Sequence, residues 1–391
     1  MSFEANLWCY LWDLADEGID RTLDVIQGEL GATGLSVATA YHSVGQLRPH
    51  EGVSPRWFRS AGGLQFQPDA GRYRGTRAKA VVAEWLKSRN PLAVLAEGCA
   101  KRGLNLRGWT VCCHSSVTVA RNPSLATKDV FGTPSTSWLC PVNPDVQEYL
   151  RALIEDLTHN YGLAGVELES CSFSPGGHTH THEKVGVEIG PVGRFLLSLC
   201  LCESCRQQAA AAGCQVAAVE RCVTVDLERI LHTGTDTLGR SPAEYVSGRE
   251  PVQEFVKWRS DALMGILPRL RSACNGSLIV LRSGDAWATA ADPIRIAGHC
   301  DAMIQTAYGA DEARIEQVVD QVAAETGSPG RVIVGLNACA GYVHDSASLV
   351  RSVGRAAALG VRGVNIYNYG MIAPARLLWI KQAIRYGRRE A

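Results

Sequence analysis

Eight short β-branched or apolar runs stand out along this chain. They cover residues 7–13 (LWCYLWD), 35–42 (LSVATAYH), 106–114, 165–170 (GVELES), 277–285, 302–309, 331–337 and 361–370. Runs of this length and composition predict strands. Between most of them the apolar spacing widens to three and four. Over 143–160, Pro144 suits a first helical position, and Val146, Leu150, Leu153 and Leu157 form one apolar stripe. Residues 311–326 repeat that pattern before the turn signal Gly327-Ser328-Pro329-Gly330, and 207–213 also read as helix. Eight strands alternating with helices predict an α/β fold, a (β/α)8 TIM barrel whose last strand closes on its first. An open doubly wound sheet fits less well. No Gly-rich phosphate loop follows a strand, and GELGATG (28–34) precedes the second one.

Two stretches exceed a minimal barrel. Residues 43–80, rich in Gly, Arg and aromatics, follow strand two, and the mostly helical residues 172–275 follow strand four. Both leave the C-terminal ends of strands, the face on which such barrels carry their active sites. With no internal repeat and no linker, a single domain over 1–391 is expected, with insertions at about 43–80 and 172–275.

Charge changes the picture by exclusion. Lys+Arg and Asp+Glu both number 39, so no basic field draws nucleic acid or an anionic membrane. No apolar run approaches the length of a membrane span. The opening residues lack the pattern of a secretory signal, which predicts a cytoplasmic protein whose 14 cysteines are reduced. A homo-oligomer is compatible with all of this.

Strand four carries the candidate chemistry. Alternation puts Glu167 and Glu169 on one face and Val166 and Leu168 on the other. The apolar pair suits the helix layer, so both acids point into the barrel, with Glu169 nearer the mouth. Glu169 is the expected general acid/base. Glu167 is either a second catalytic carboxylate or a buried acid paired with Arg107 or Arg282. Asp285, at the end of strand five, is the expected partner carboxylate, and Asp13 the alternative; either also suits a helix cap or an ion pair. His178, His180 and His182 begin just past strand four, and His42 and His114 end other strands. They suit hydrogen bonding to sugar hydroxyls or, with a carboxylate, a second divalent metal. Trp12, Tyr41, Trp109, Trp287, Tyr308, Tyr367 and Tyr369 lie at or near strand ends, as does Asn337. Rings of this kind suit a sugar's apolar face or simply fill a barrel. Cys200, Cys202 and Cys205 have C-x-C-x-x-C spacing, three thiolates of a four-thiolate zinc site or buried helix-face thiols.

The stretch WLCPVNPDVQEYLRALIEDLTHNYGLAGVELES (138–170), followed by LCLCESC (199–205), resembles glycoside hydrolase family 42 β-galactosidases and related glycoside-hydrolase-like barrels. That resemblance implies a structural zinc with Cys140 as fourth ligand beside Cys200, Cys202 and Cys205, and Cys113 in reserve. Tyr41-His42, Pro49-His50, the Glu-x-Glu-Ser strand and the histidine loop ending His182-Glu183-Lys184 are similar to a bacterial glycoside-hydrolase-like group of unsettled activity. The likeness covers roughly residues 35–206. It implies an enzyme acting on a glycoside or sugar-derived small molecule. Two departures stand out: no Asn-Glu pair ends strand four, and strand seven ends in Asn337 where family 42 has its nucleophilic Glu. These departures keep two alternatives open: a metal-dependent sugar isomerase, epimerase or lyase built on the histidine loop, and a barrel that binds carbohydrate without chemistry.

Overall fold

The computed structural model describes residues 3–175, 184–282 and 285–391. Eight parallel strands form a closed ring: β1 (Glu4–Cys9), β2 (Gly34–Tyr41), β3 (Asn105–Val111), β4 (Gly165–Glu169), β5 (Ser277–Leu281), β6 (Ala302–Thr306), β7 (Val332–Asn337) and β8 (Gly363–Tyr367). Neighbours in sequence are neighbours in space, and β1 pairs with both β8 and β2. The expected TIM barrel is the fold.

Alternation along each strand sorts side chains into two cores. Ala5, Leu7 and Cys9 of β1, with Val166 and Leu168 of β4, pack outward beneath the helices. Trp8, Trp109, Ile279, Ile304 and Ile333 fill the interior. A Cβ added to Gly335 of β7 would lie 2.9 Å from the Trp8 ring, so glycine there admits the indole. The helix expected from Pro144 runs Pro144–Glu155, with Asn143 capping the Asp145 N–H at 2.9 Å. The one expected from Asp311 runs Glu312–Thr326.

The strands end sooner than the apolar runs suggested. Residues 11–13 belong to the helix Leu11–Glu17, because Leu11 and Leu14 are buried at three-residue spacing and the extended backbone stops at Tyr10. After β2 comes the hairpin Val44–Leu47/Trp57–Ser60, and Gly63–Leu64 then runs antiparallel to β2. After β4 come helices from Pro191 to Ala273, with an apolar cluster of their own around Phe195, Leu227, Tyr245 and Phe255. No helix among the described residues is long and apolar enough to cross a membrane.

Candidate active site

The barrel interior is layered, and the layers differ in how completely their polar groups are satisfied. At the bottom, Glu4 holds Arg107 and, at 3.1 Å, Arg362. Above it sits Glu167, fully buried. One carboxylate oxygen accepts from Ser36 Oγ at 2.6 Å and Asn365 Nδ2 at 2.9 Å; the other accepts from the Trp8 indole N–H at 2.8 Å. Arg107 adds an ion pair at 3.8 Å, while Arg282 pairs with Glu325 instead. These donors come from four different strands, so only barrel closure assembles them.

One layer higher the carboxylate is far less enclosed by donors. Among the described residues, Glu169 accepts a single hydrogen bond, from the Trp109 indole N–H at 2.6 Å. It faces a cavity of about 390 Å³ lined by Trp8, Tyr41, Trp109, Leu281, Thr306, Tyr308, Asn337, Cys339, Tyr342, Tyr367 and Met371. Among those lining residues it is the one carboxylate. Burial pushes its pKa above the usual glutamate value, and the Trp109 bond opposes this only in part. Tyr10 Oη lies 3.0 Å from Tyr41 Oη and 2.6 Å from Tyr367 Oη, a chain of hydroxyls at the cavity edge. Burial holds all three phenols above their ordinary range, so each remains a neutral donor. Directly past Glu169, Ser170 has φ 54, a left-handed turn that a non-glycine residue adopts at a cost of order 1 kcal/mol.

Of the residues singled out from the sequence, Glu169, Tyr41, Trp109, Tyr308, Tyr367 and Asn337 meet at this cavity. The Asn337 carboxamide oxygen also accepts from the Cys339 N–H at 2.8 Å. His42 stacks on Tyr41 and on His114, with ring centres 4.2 and 4.8 Å apart, and His114 stacks on Trp138. The two imidazoles therefore flank the cavity behind Tyr41. His178, His180 and His182 lie outside the described residues.

Other expected positions serve the scaffold. Trp12 is buried between Tyr10 and Phe58, its indole N–H on Gln46 at 2.6 Å. Asp13 accepts from Gln46 at 2.9 Å and pairs with Arg48 at 3.5 Å, which ties the insertion after β2 to the barrel. Burial raises the Asp13 pKa to about 6. Asp285 caps the helix Ala286–Thr289, accepting from Trp287 and Ala288 N–H at 3.0 and 3.1 Å, and does not line the cavity. Trp287 packs edge-on against Phe195, and Tyr369 donates to Glu17. Trp8 and Tyr10, absent from the sequence-based set of site residues, are central here. Alternation on β1 aims both inward, but their roles come from contacts to residues more than 150 positions away.

Cys140, Cys200, Cys202 and Cys205 are all buried, their sulfurs within 4.8 Å of one another. Cys140 follows the strand Pro134–Leu139, Cys202 caps the helix Glu203–Ala211, and Cys205 lies in that helix's first turn. A tetrahedral zinc with Zn–S near 2.3 Å needs sulfurs about 3.8 Å apart, so this set can hold such an ion. Cys113 stands apart from it.

No protein-family model and no curated protein matches the chain. Solved structures share its fold. α-L-fucosidase isoenzyme 2 from Paenibacillus thiaminolyticus aligns with a TM-score of 0.60 at 12% identity, over 100% of this chain and 50% of that one. This chain thus spans half the length of that protein. The catalytic domain of β-amylase from Paenibacillus polymyxa aligns with a TM-score of 0.56 at 11% identity, over 98% of each chain. At such identities the likeness carries the fold alone: this chain has the (β/α)8 architecture found in glycoside hydrolases.

Proposed function

We propose that the chain is a glycoside-hydrolase-like enzyme acting on a glycoside or sugar-derived small molecule, with Glu169 as its general acid/base. The observation that carries this reading is a carboxyl group at the C-terminal end of β4, desolvated, held by one indole N–H and facing an aromatic-lined cavity. Burial keeps Glu169 protonated to higher pH, as a general acid requires. Glu169 gives its proton to the glycosidic oxygen as the C–O bond breaks. As a carboxylate it then takes a proton from the water that adds to the sugar. The faces of Trp8, Trp109 and the tyrosines stabilise the positive charge that develops on the ring. Glu167 is a positioning residue: it fixes the Trp8 indole, which lines the same cavity.

The likeness to family 42 supports a zinc on Cys140, Cys200, Cys202 and Cys205. Four thiolates around Zn²⁺ leave no open position, so the ion braces the insertion after β4 and takes no part in catalysis. Beside the cluster, Arg259 is buried over the Phe173 ring, with Ser198 and Trp287 carbonyls at 2.9 and 3.0 Å, and offsets the excess negative charge of a zinc tetrathiolate. Elemental analysis should find about one zinc per chain, and Cys202→Ser should lose it and melt earlier.

Release of nitrophenol from a panel of activated aryl glycosides tests the enzyme reading. Wild-type turnover that disappears in Glu169→Gln supports it. Binding of sugars without turnover of any of them would favour a carbohydrate-binding barrel, the alternative to which Asn337 in place of an acid on β7 points.

A further inference from the structure

A second, larger cavity of about 760 Å³ opens between the hairpin after β2 and the helix Ser116–Arg121. Val44, Val81, Val82, Val117, Ala120 and the half-buried Trp85 form the apolar part of its wall. Three charged residues line it, Arg59, Arg121 and Glu84, so its net charge is positive. Neither arginine makes an ion pair or side-chain hydrogen bond among the described residues, although most arginines of this chain do.

The hairpin's register explains why the space exists. Gly45 faces Arg59, and Leu47 faces Trp57. These four share the outward side, while Gln46 and Phe58 turn inward and are buried. A Cβ on Gly45 would meet nothing within 4 Å, so the hairpin leaves open room opposite the Arg59 side chain. On that same side Trp57 is 57% exposed. The cavity also adjoins the barrel mouth. Tyr41 lines the Glu169 cavity and Ser43 lines this one, two residues or about 7 Å further along the chain.

We propose that this cavity is a subsite for an anionic pyranose, a uronate or a sulfated sugar, one or more rings away from the glycosidic oxygen that Glu169 protonates. The inference rests on the glycoside reading of the mouth and adds the substrate class to it. Valine and indole surfaces take the sugar's apolar face. The guanidiniums of Arg59 and Arg121 take a carboxylate or sulfate through charge-assisted hydrogen bonds, for which arginine's planar fork is shaped. Both arginines are exposed, so the preference is salt-sensitive.

Calorimetric titration of the full chain with a galacturonic acid trisaccharide and with its methyl ester tests the inference directly. The two ligands differ in charge and little in shape. At low salt the acid should bind about tenfold or more tightly than the ester. Arg59→Gln combined with Arg121→Gln should erase that difference while leaving ester binding and melting temperature unchanged. A sulfated galactose oligosaccharide that outbinds the uronate would identify sulfate as the anion. Equal binding of acid and ester, no binding of the acid, the ester or the sulfated sugar, or a preference that survives both substitutions overturns the inference. Nitrophenyl glycoside turnover is measured separately, so a neutral-sugar hydrolase and a barrel without activity remain distinguishable from this result.

Discussion

Glu167 and Glu169 stand two residues apart on one strand and point the same way, yet their surroundings differ in kind. Glu167 has Ser36, Asn365 and Trp8 as donors and an arginine beside it. Glu169 has one indole donor and an open cavity. A buried carboxylate with full partners organises its neighbours. One that is desolvated but left with few donors keeps a raised pKa and a proton to give. On the proposed reading, depth along a barrel strand separates a structural acid from a chemical one.

Four substitutions break or sharpen that contrast, the largest effect first. Glu169→Gln removes the proposed proton donor and should cost 10²–10⁴-fold in turnover on an activated glycoside, with an unchanged melting curve at acidic pH, where the wild-type carboxyl is also neutral. Glu167→Ala strands the Trp8, Ser36 and Asn365 donors and Arg107 in a dry interior. It should destabilise the fold by about 3–5 kcal/mol, read by denaturant titration. Trp109→Phe deletes the one bond that favours the charged form of Glu169, so that pKa should rise further. With Glu169 as the proposed general acid, turnover should fall as pH rises through its pKa. That limb should therefore move upward by about one unit in the pH–rate profile of Trp109→Phe. Asp285→Ala removes a helix cap and should cost about 1 kcal/mol in stability while leaving turnover unchanged.

The same contrast has a linkage signature. A raised native pKa means that the folded chain holds the Glu169 proton longer than the unfolded one. Its contribution to stability is fully present below the ordinary glutamate pKa and is lost as pH rises through the raised value. Thermal melts across that window should show a decline that Glu169→Gln lacks.

Much of the fold was legible because alternation is a local property. Val166 and Leu168 against Glu167 and Glu169 settle which way β4 faces with no knowledge of its neighbours. The cysteine grouping was also readable, since three ligands lie within six residues; Cys140 required a family likeness, not spacing. What was not legible depended on closure or on strand ends. Trp12 and Asp13 were placed on strand one because the apolar run from Leu7 continues unbroken through Trp12, and the helix took them. Asp285 reads in sequence as a strand-end acid, but two backbone N–H groups claim it. Trp8's partnership with Glu167 spans 159 residues and exists only once the ring has formed.

The most direct test sets Glu167→Gln beside Glu169→Gln in one experiment, with turnover per folded molecule and melting temperature measured for each. The account expects a crossed result: Glu169→Gln inactive and, at acidic pH, as stable as wild type, Glu167→Gln clearly less stable. A Glu169→Gln protein that unfolds, or one that keeps wild-type turnover, would contradict it.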